Sequence, residues 1–296
     1  MIDKLEFLLA LARERHFGRA AEVCGVTQPT LSAGLKQMED MLGVRLVDRG
    51  SRFQGFTAEG ERVLDWARRI VGDSRAMREE INALKKGLSG HLRIAAIPTA
   101  LAMVAALTTP FRARHPNVNF TIVSRTSISI LTQIENLDVD VGITYTGNEP
   151  LGRVLQVPLY PEFYRFLCAP GTALAGRARV TWAEAAEQPL CLLTGDMQNR
   201  RILNQYLGEV GARSAPQIES NSTIALVSHV MTGRWASIVP MRLARLFAET
   251  GRLVAVPIVD PEAEHVVGLI AARRDPQTPV LSALIDEASR GMRRYS

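Results

Sequence analysis

The chain has 296 residues, about two domains by the usual size of a folding unit. Hydrophobic residues make up 47% and charged residues 22%, a balance that excludes a disordered chain, a collagen-like repeat and a disulfide scaffold. The formal net charge is +5, but the first 60 residues hold eight Lys or Arg against eight Asp or Glu, so a nucleic-acid reading must rest on where charges sit rather than on their sum.

Three cysteines, Cys24, Cys168 and Cys191, are too few and too widely spaced for a zinc pattern or a disulfide framework, which fits a reducing cytosol. Asp3, Lys4 and Glu6 stand where a signal peptide would need an apolar core. Residues 92–111 are apolar enough to invite a membrane reading. Arg93, Pro98, three threonines and Pro110 make a buried strand, a turn and a helix the better one.

In chain order, Leu5, Leu8, Leu9 and Ala12 fall on one face of a helix over 2–14. A second, short helix runs from Phe17 to Cys24 and stops at Gly25, which takes the left-handed conformation at a helix end. Thr27 caps a third helix, and Pro29 sits in its first turn, where a missing N–H costs little. Leu31, Leu35 and Met38 give that helix an apolar face, and Ala21 lets the pair cross closely. Helix, tight turn, helix is a DNA-reading arrangement in which residues 27–36 enter the major groove and present Thr, Gln, Ser and Lys side chains. A small helical bundle without a partner has the same pattern. Residues 45–57 carry Arg45, Arg49 and Arg52 against Asp48 and read as a short β-ribbon touching phosphates or a minor groove, or as a solvated hairpin.

Over 58–88, Val63, Ala67, Ile70, Ser74, Met77, Ile81, Leu84 and Leu88 alternate spacings of four and three behind the cap Thr57. Such a seam pairs two chains; an amphipathic helix packed on its own domain is the simpler alternative. Gly87, Ser89 and Gly90 end it. Beyond 91 the pattern changes. Strands at 92–97, 119–123, 139–144, 190–193 and 237–240 alternate with helices at 100–114 and 128–136, from about 197, from about 223 and after Pro279. That order predicts an α/β domain with a largely parallel sheet, large enough for two lobes and a cleft.

Thr99, Ser127, Thr194 with Asp196, and Asn221 to Thr223 stand just before these helices. Helix N-termini at the carboxyl ends of strands bind anions, although side chains of these types also simply cap helices. His16, His91, His115, His229 and His265 have no partner at metal-ligand spacing, so neither a metal nor a bound cofactor is expected. Cys24, Cys168 and Cys191 read as core, with a redox sensor as the alternative. No phosphate loop, GxSxG or acid–base constellation is present, and no catalytic residue is expected.

The segments HFGRAAEVCGVTQPTLSAGLKQMEDMLGVRLVDRG (16–50), FTAEGERVL (56–64), GHLRIAAIPTA (90–100), ENLDVDVGI (135–143) and GRWASIVP (233–240) resemble the LysR-type transcriptional regulators over the whole chain. The resemblance implies an α-rich N-terminal winged helix-turn-helix, a dimerising linker helix, and a two-lobed α/β effector domain like the type II periplasmic binding proteins. It further implies a dimer of dimers on promoter DNA in the cytoplasm, with RNA polymerase as a further partner and no membrane. DNA contacts would come from Arg19, Thr27, Gln28, Pro29, Thr30, Ser32, Lys36, Arg49 and Arg52, and pairing from Val63, Ala67, Ile70, Met77, Ile81 and Leu84. A small organic acid or oxyanion co-inducer would meet Thr99, Thr126, Ser127, Thr194, Met197, Gln198 and Ser222, with Tyr145 and Tyr160 either as walls or as core. The nearest branch is taken to be that of formate or one-carbon metabolism. Two departures stand out. Ala33 and Gly34 replace residues that reach bases in the family, and Gly18 replaces the Ser or Thr that starts the second helix.

Domain limits follow as 1–58 for the DNA-binding head, 59–90 for linker helix and hinge, and 91–296 for the effector domain. Its lobe I would span about 91–161 and 266–296, and its lobe II about 162–265. Two other classes compete: an enzyme carrying a DNA-binding head, which would need a nucleotide or nucleophile motif, and a solute-binding protein, which would need a signal peptide and no such head.

Overall fold

The computed structural model describes residues 1–49, 53–147, 149–212 and 216–292. Two units divide the chain: Met1–Leu88 with Glu135–Asp138 and Arg274–Pro279, and Ser89–Ile134 with Val139–Arg273 and Val280 onward.

The first unit begins with α1 (Ile2–Glu14), α2 (Phe17–Val23) and α3 (Gln28–Leu42). Each boundary has a local cause. Arg15 turns left-handed after α1, the His16 ring caps α2, Gly25 sits at φ +66 after α2, and the Thr27 hydroxyl accepts from the Thr30 N–H to start α3. Leu8, Leu11, Ala20, Leu31, Leu35 and Met38 are fully buried where the three helices meet. Each buried Leu or Met contributes roughly 1.5–3 kcal/mol relative to an exposed one. β1 (Val47–Arg49) pairs antiparallel with β2 (Phe53–Phe56), so the 45–57 segment is a two-stranded ribbon. The long helix α4 (Ala58–Lys86) follows, capped by Thr57 and ended by Gly87 at φ +72.

The second unit carries β3 (Gly90–Ala96), α5 (Leu101–Arg114), β4 (Val118–Ser124), α6 (Ser127–Glu135), β5 (Val141–Thr146) and the 15-residue β6 (Val154–Cys168). Next come β7 (Val180–Thr181), α7 (Trp182–Ala186), β8 (Cys191–Leu193), α8 (Gln198–Glu209), β9 (Ile218–Ser220), α9 (Thr223–Val230) and β10 (Ser237–Pro240). α10 (Met241–Ala248), β11 (Val254–Val259), β12 (Glu264–Ala272) and α11 (Pro279–Met292) complete it. The main sheet runs β4-β3-β5-β12-β6-β11-β7, with β10 also on β6, while β8 pairs with β9.

This sheet is mixed rather than largely parallel. β3 is parallel to β4 and β5, but β12 is antiparallel to both β5 and β6, and β10 and β11 are antiparallel to β6. The reason is topological. β6 leaves one half of the domain and β12 returns to it, so the two strands that join the halves run in opposite directions. β6 changes partners along its length: Val154 to Phe163 pair with β12, and Tyr164 onward pair with β10 and β11. Pro158 and Pro161 flank Leu159, the extra residue of β6 at the register shift opposite Val267 and Gly268, where a missing N–H is tolerated. Among the described residues no helix is long and apolar enough to cross a membrane; residues 92–111 form β3, a turn and part of α5.

Candidate functional site

On α3 the side chains divide cleanly. Leu31, Leu35 and Met38 face the core, whereas Thr27, Gln28, Pro29, Thr30 and Lys36 are exposed and Ser32 is half-buried. The Thr27 and Thr30 hydroxyls bond each other at 2.8 Å. Gly34 does not leave an empty place for a base contact. A Cβ there would lie 2.9 Å from the Phe7 ring, so the position faces α1 and sets how closely the two helices pack. Gly18 is likewise compensated: the His16 ring Nδ1 accepts from the N–H groups of Gly18 and Arg19 at 3.1 and 3.3 Å and begins α2 in place of a hydroxyl. The Arg19 guanidinium is held against its own unit by a bond to the Glu14 carbonyl at 2.7 Å.

The ribbon is anchored by a residue that sequence reasoning missed. Glu39, buried on α3, accepts from the N–H groups of Leu46 and Val47 at 2.9 and 3.3 Å, fixing β1 to the recognition helix. Its signal in sequence was a lone carboxylate on an otherwise apolar helix face. At the same end of the ribbon, the Thr57 hydroxyl donates to the Arg45 carbonyl at 2.7 Å and caps α4 at Gly60. A Cβ on Gly60 would meet the Leu46 carbonyl oxygen at 2.0 Å, so only glycine fits this approach. Arg52 lies outside the described residues, and of Arg49 only the strand backbone is described.

The expected α4 seam divides into two stripes. Ala67 is fully buried and Val63 packs on the N-terminal core beside Leu64 and Val71, so these two positions serve their own unit instead of a partner. Ile70, Met77, Ile81 and Leu84 are 41%, 59%, 48% and 79% exposed.

In the C-terminal domain the expected caps prove unequal. Thr99 is not a cap at all: α5 starts behind Ala100 with no side-chain bond, and the Thr99 hydroxyl is buried without a partner. Ser127 does not cap α6 either. Thr126 accepts from the Ser129 N–H at 3.2 Å, while the Ser127 hydroxyl meets Arg201 Nη2 at 3.2 Å and Glu149 Oε2 at 3.4 Å. α8 starts behind Met197, with no side-chain cap, and the buried Thr194 hydroxyl has no partner. Met197 itself packs in the apolar cluster with Cys191 and Leu226. Gln198 is buried, its Oε1 accepts from Thr144 at 3.1 Å, and its Nε2 has no partner. Ser222 is a plain cap, accepting from the Ala225 N–H at 3.4 Å.

Thr99, Ser127 and Thr144 lie at the carboxyl ends of the parallel strands β3, β4 and β5. Bonds from Gln198, Asn199 and Arg201 bring the N-terminus of α8 onto that edge. It is the edge where an α/β sheet holds its ligands.

Tyr145 is core rather than wall. Its fully buried hydroxyl donates to Glu162, in a very short bond, and accepts from Tyr164 at 3.3 Å and Asn199 Nδ2 at 3.0 Å. Burial pushes the Glu162 carboxyl up to about 8, against the smaller opposing effects of Tyr145 and Arg242. Tyr160 is also mostly enclosed, with the Arg242 guanidinium 4.5 Å above its ring. The His265 ring stands edge-on to Tyr145, Tyr164 and Tyr206, and burial holds its pKa below the ordinary value. Cys168 and Cys191 are buried and Cys24 half-buried; burial raises all three thiols, that of Cys191 to about 11. Among the described residues no group of His, Cys, Asp and Glu could hold a metal.

A helix-turn-helix with a β-ribbon, a long helix and a two-lobed α/β domain together define a DNA-binding regulator with a ligand-binding module. The family comparisons give the particular kind. The model of the bacterial regulatory helix-turn-helix protein of the lysR family matches residues 2–61, and that of the LysR substrate binding domain matches 85–293. The chain belongs to the LysR family; it is a DNA-binding transcription regulator and not an enzyme. It is 27% identical to a hydrogen peroxide-inducible genes activator of Pectobacterium carotovorum, over 99% of this chain and 97% of that protein. It is 30% identical to an SDS degradation transcriptional activation protein of a Pseudomonas species, over 95% and 99%. A full-length OxyR variant from Pseudomonas aeruginosa superposes with a TM-score of 0.73 at 23% identity, covering 98% of this chain and 97% of that one. None of these three is described as a regulator of formate or one-carbon metabolism.

Proposed function

We propose that this regulator responds to a small carboxylate or similar oxyanion bound between the two lobes of its C-terminal domain, and that the ligand changes how paired chains hold operator DNA. The observation that carries the reading is Thr99. Its hydroxyl caps nothing, is buried, and has no partner. Leaving such a group unpaired costs about 1–3 kcal/mol, which makes sense where a ligand supplies the missing bond. The Thr194 hydroxyl and Gln198 Nε2 are in the same condition. The N-termini of α6 and α8 add N–H groups that favour an anion. The lobe limits near 161/162 and 265/266 fit the change of partners within β6 at Phe163 and Tyr164. Two chains would pair along Ile70, Met77, Ile81 and Leu84, and two such dimers would bind a promoter in the cytoplasm and meet RNA polymerase there.

The relatives' names favour a second reading, a peroxide response. A cysteine-based response needs an accessible thiolate. Here burial raises every thiol, so the thiols of this chain suit a core and not a sensor. Treatment with hydrogen peroxide is expected to leave operator binding in a gel shift unchanged; release of the DNA on oxidation would favour this second reading.

The test of the first reading is a thermal-shift screen of small organic acids, formate and other one-carbon acids included. A ligand at 100 times its Kd adds ~2.7 kcal/mol of stability. Thr99→Val keeps the shape and removes the hydroxyl. Because Thr99 is no cap and its unpaired hydroxyl is a cost in the ligand-free chain, the variant should melt no lower than the wild type, and higher by the relief of that cost, while the ligand concentration for half-response rises about tenfold. A lowered melting temperature with an unchanged dose–response would reduce Thr99 to a structural residue.

A further inference from the structure

Arg201 stands in the first turn of α8 and holds Glu149 as it would hold a ligand's carboxylate. Its Nε donates to Glu149 Oε1 at 2.7 Å and its Nη2 to Glu149 Oε2 at 2.9 Å, two near-parallel bonds from one planar fork. Nη1 donates to the Asp196 carbonyl at 2.7 Å, which aims the guanidinium, and Nη2 also reaches the Ser127 hydroxyl. Glu149 follows β5 and Ser127 opens α6, whereas Arg201 belongs to the helix after β8, so the ion pair joins the two halves of the domain.

Three features make this pair exchangeable. Both side chains are about a third exposed, 33% for Arg201 and 31% for Glu149, so water and small anions reach them. An ion pair this wet is worth little on its own, and one carboxylate can replace another at Arg201 with no change of charge. Gln198 lies one turn back on the same helix with its Nε2 buried and unbonded, and the Thr99 hydroxyl, just after β3, is in the same state. A ligand bound at the fork would find donors to complete its contacts.

We propose that Glu149 is an internal occupant of the effector's carboxylate seat: it holds the Arg201 fork until a small carboxylate takes its place and reaches Gln198 and Thr99. This rests on the reading of the junction as the effector site and names its anchor. Glu149 thereby sets the threshold, because a ligand must outcompete a carboxylate already tethered beside Arg201. Its displacement also frees Ser127 and removes one tie between the halves.

The experiment is calorimetric titration of the full chain with acetate, succinate and benzoate, with acetamide and benzamide as uncharged controls. Glu149→Gln should bind at least one of these carboxylates about tenfold more tightly than the wild type and the amides no better; Glu149→Gln combined with Arg201→Gln should lose that gain. Glu149→Ala repeats the test should the Gln variant fold poorly. No gain in a folded Glu149 variant, an equal gain for the amides, or a gain that survives loss of Arg201 would overturn the proposal. A gel shift with the same acids separates it from the broader reading. If carboxylates release operator from the wild type through Thr99 but Glu149→Gln shows no gain, the junction stays the effector site and Glu149 is only a brace. If Glu149→Gln gains affinity while no carboxylate alters operator binding, Arg201 remains an anion seat and the effector role falls.

Discussion

Glu162 shows how one buried carboxyl ties stability to pH. Its bond to Tyr145 ties β6 to β5 across β12, and burial raises its pKa from 4.5 to about 8. In the folded chain it therefore holds its proton at neutral pH, while in the unfolded chain it loses it above about 4.5. The folded state binds more protons through that window, so stability is greatest below the unfolded pKa and declines as pH rises toward 8. The shift corresponds to a few kcal/mol. Melting temperature should fall by several degrees between pH 5 and pH 8.5 in the wild type. Glu162→Gln, which keeps a neutral group in place, should be nearly flat over the same range. Parallel slopes for the two proteins would assign the pH dependence to other groups.

At the scale of an element, α4 carries the clearest division of labour. Its 29 residues span about 44 Å, longer than one small domain can cover. One stripe, Leu64, Ala67 and Val71, is buried in the N-terminal core, and a second, Ile70, Met77, Ile81 and Leu84, stays exposed. Charge placed on each stripe should behave differently. Ala67→Asp buries an unpaired carboxylate and should unfold the N-terminal unit. Met77→Asp should leave the melting temperature of the chain at low concentration unchanged while lowering the sedimenting mass by about half or more and weakening operator binding. A folded Met77→Asp protein with wild-type mass in analytical ultracentrifugation would remove this stripe from the pairing surface.

For the molecule as a whole, the lack of net charge in the first 60 residues makes the placement of Gln28 and Lys36 decisive. Both are exposed on the face of α3 away from the core. Gln28→Ala should weaken binding to operator much more than to unrelated DNA, by about 1–3 kcal/mol, because a glutamine bonds a base edge in two places. Lys36→Ala should weaken both equally and reduce the slope of log affinity against log salt by about one, as for a lost phosphate contact. Gel shifts on both DNAs at three salt concentrations measure this, and equal losses for Gln28→Ala would end its base-reading role.

Local chemistry made much of the head legible in sequence. Thr27, Pro29, Gly25, Thr57 and Gly87 act through their own backbone within a few residues, and the structure uses each as a cap, first-turn residue or stop. Contacts between distant segments carried no such signal. That Gly34 lies under Phe7, that Gly60 touches the Leu46 carbonyl and that Glu39 anchors the ribbon depend on how helices cross. The heptad spacing of α4 could not say which positions its own core would claim, since one helix can show two apolar stripes. The C-terminal sheet followed the same rule: the β3, β4 and β5 region was readable from alternation, but the long β6 and the returning β12 were not, because their pairing spans about a hundred residues. Thr99 and Ser127 looked like caps because they precede helices. Only the tertiary structure showed that Ala100 and Thr126 hold those places, leaving the Thr99 hydroxyl unbonded and the Ser127 hydroxyl on an ion pair that joins the two halves of the domain. Sequence thus determined the local elements, whose causes lie within a turn of chain. Tertiary packing decided which of their polar groups were left unbonded, because that depends on what the rest of the fold has already bonded.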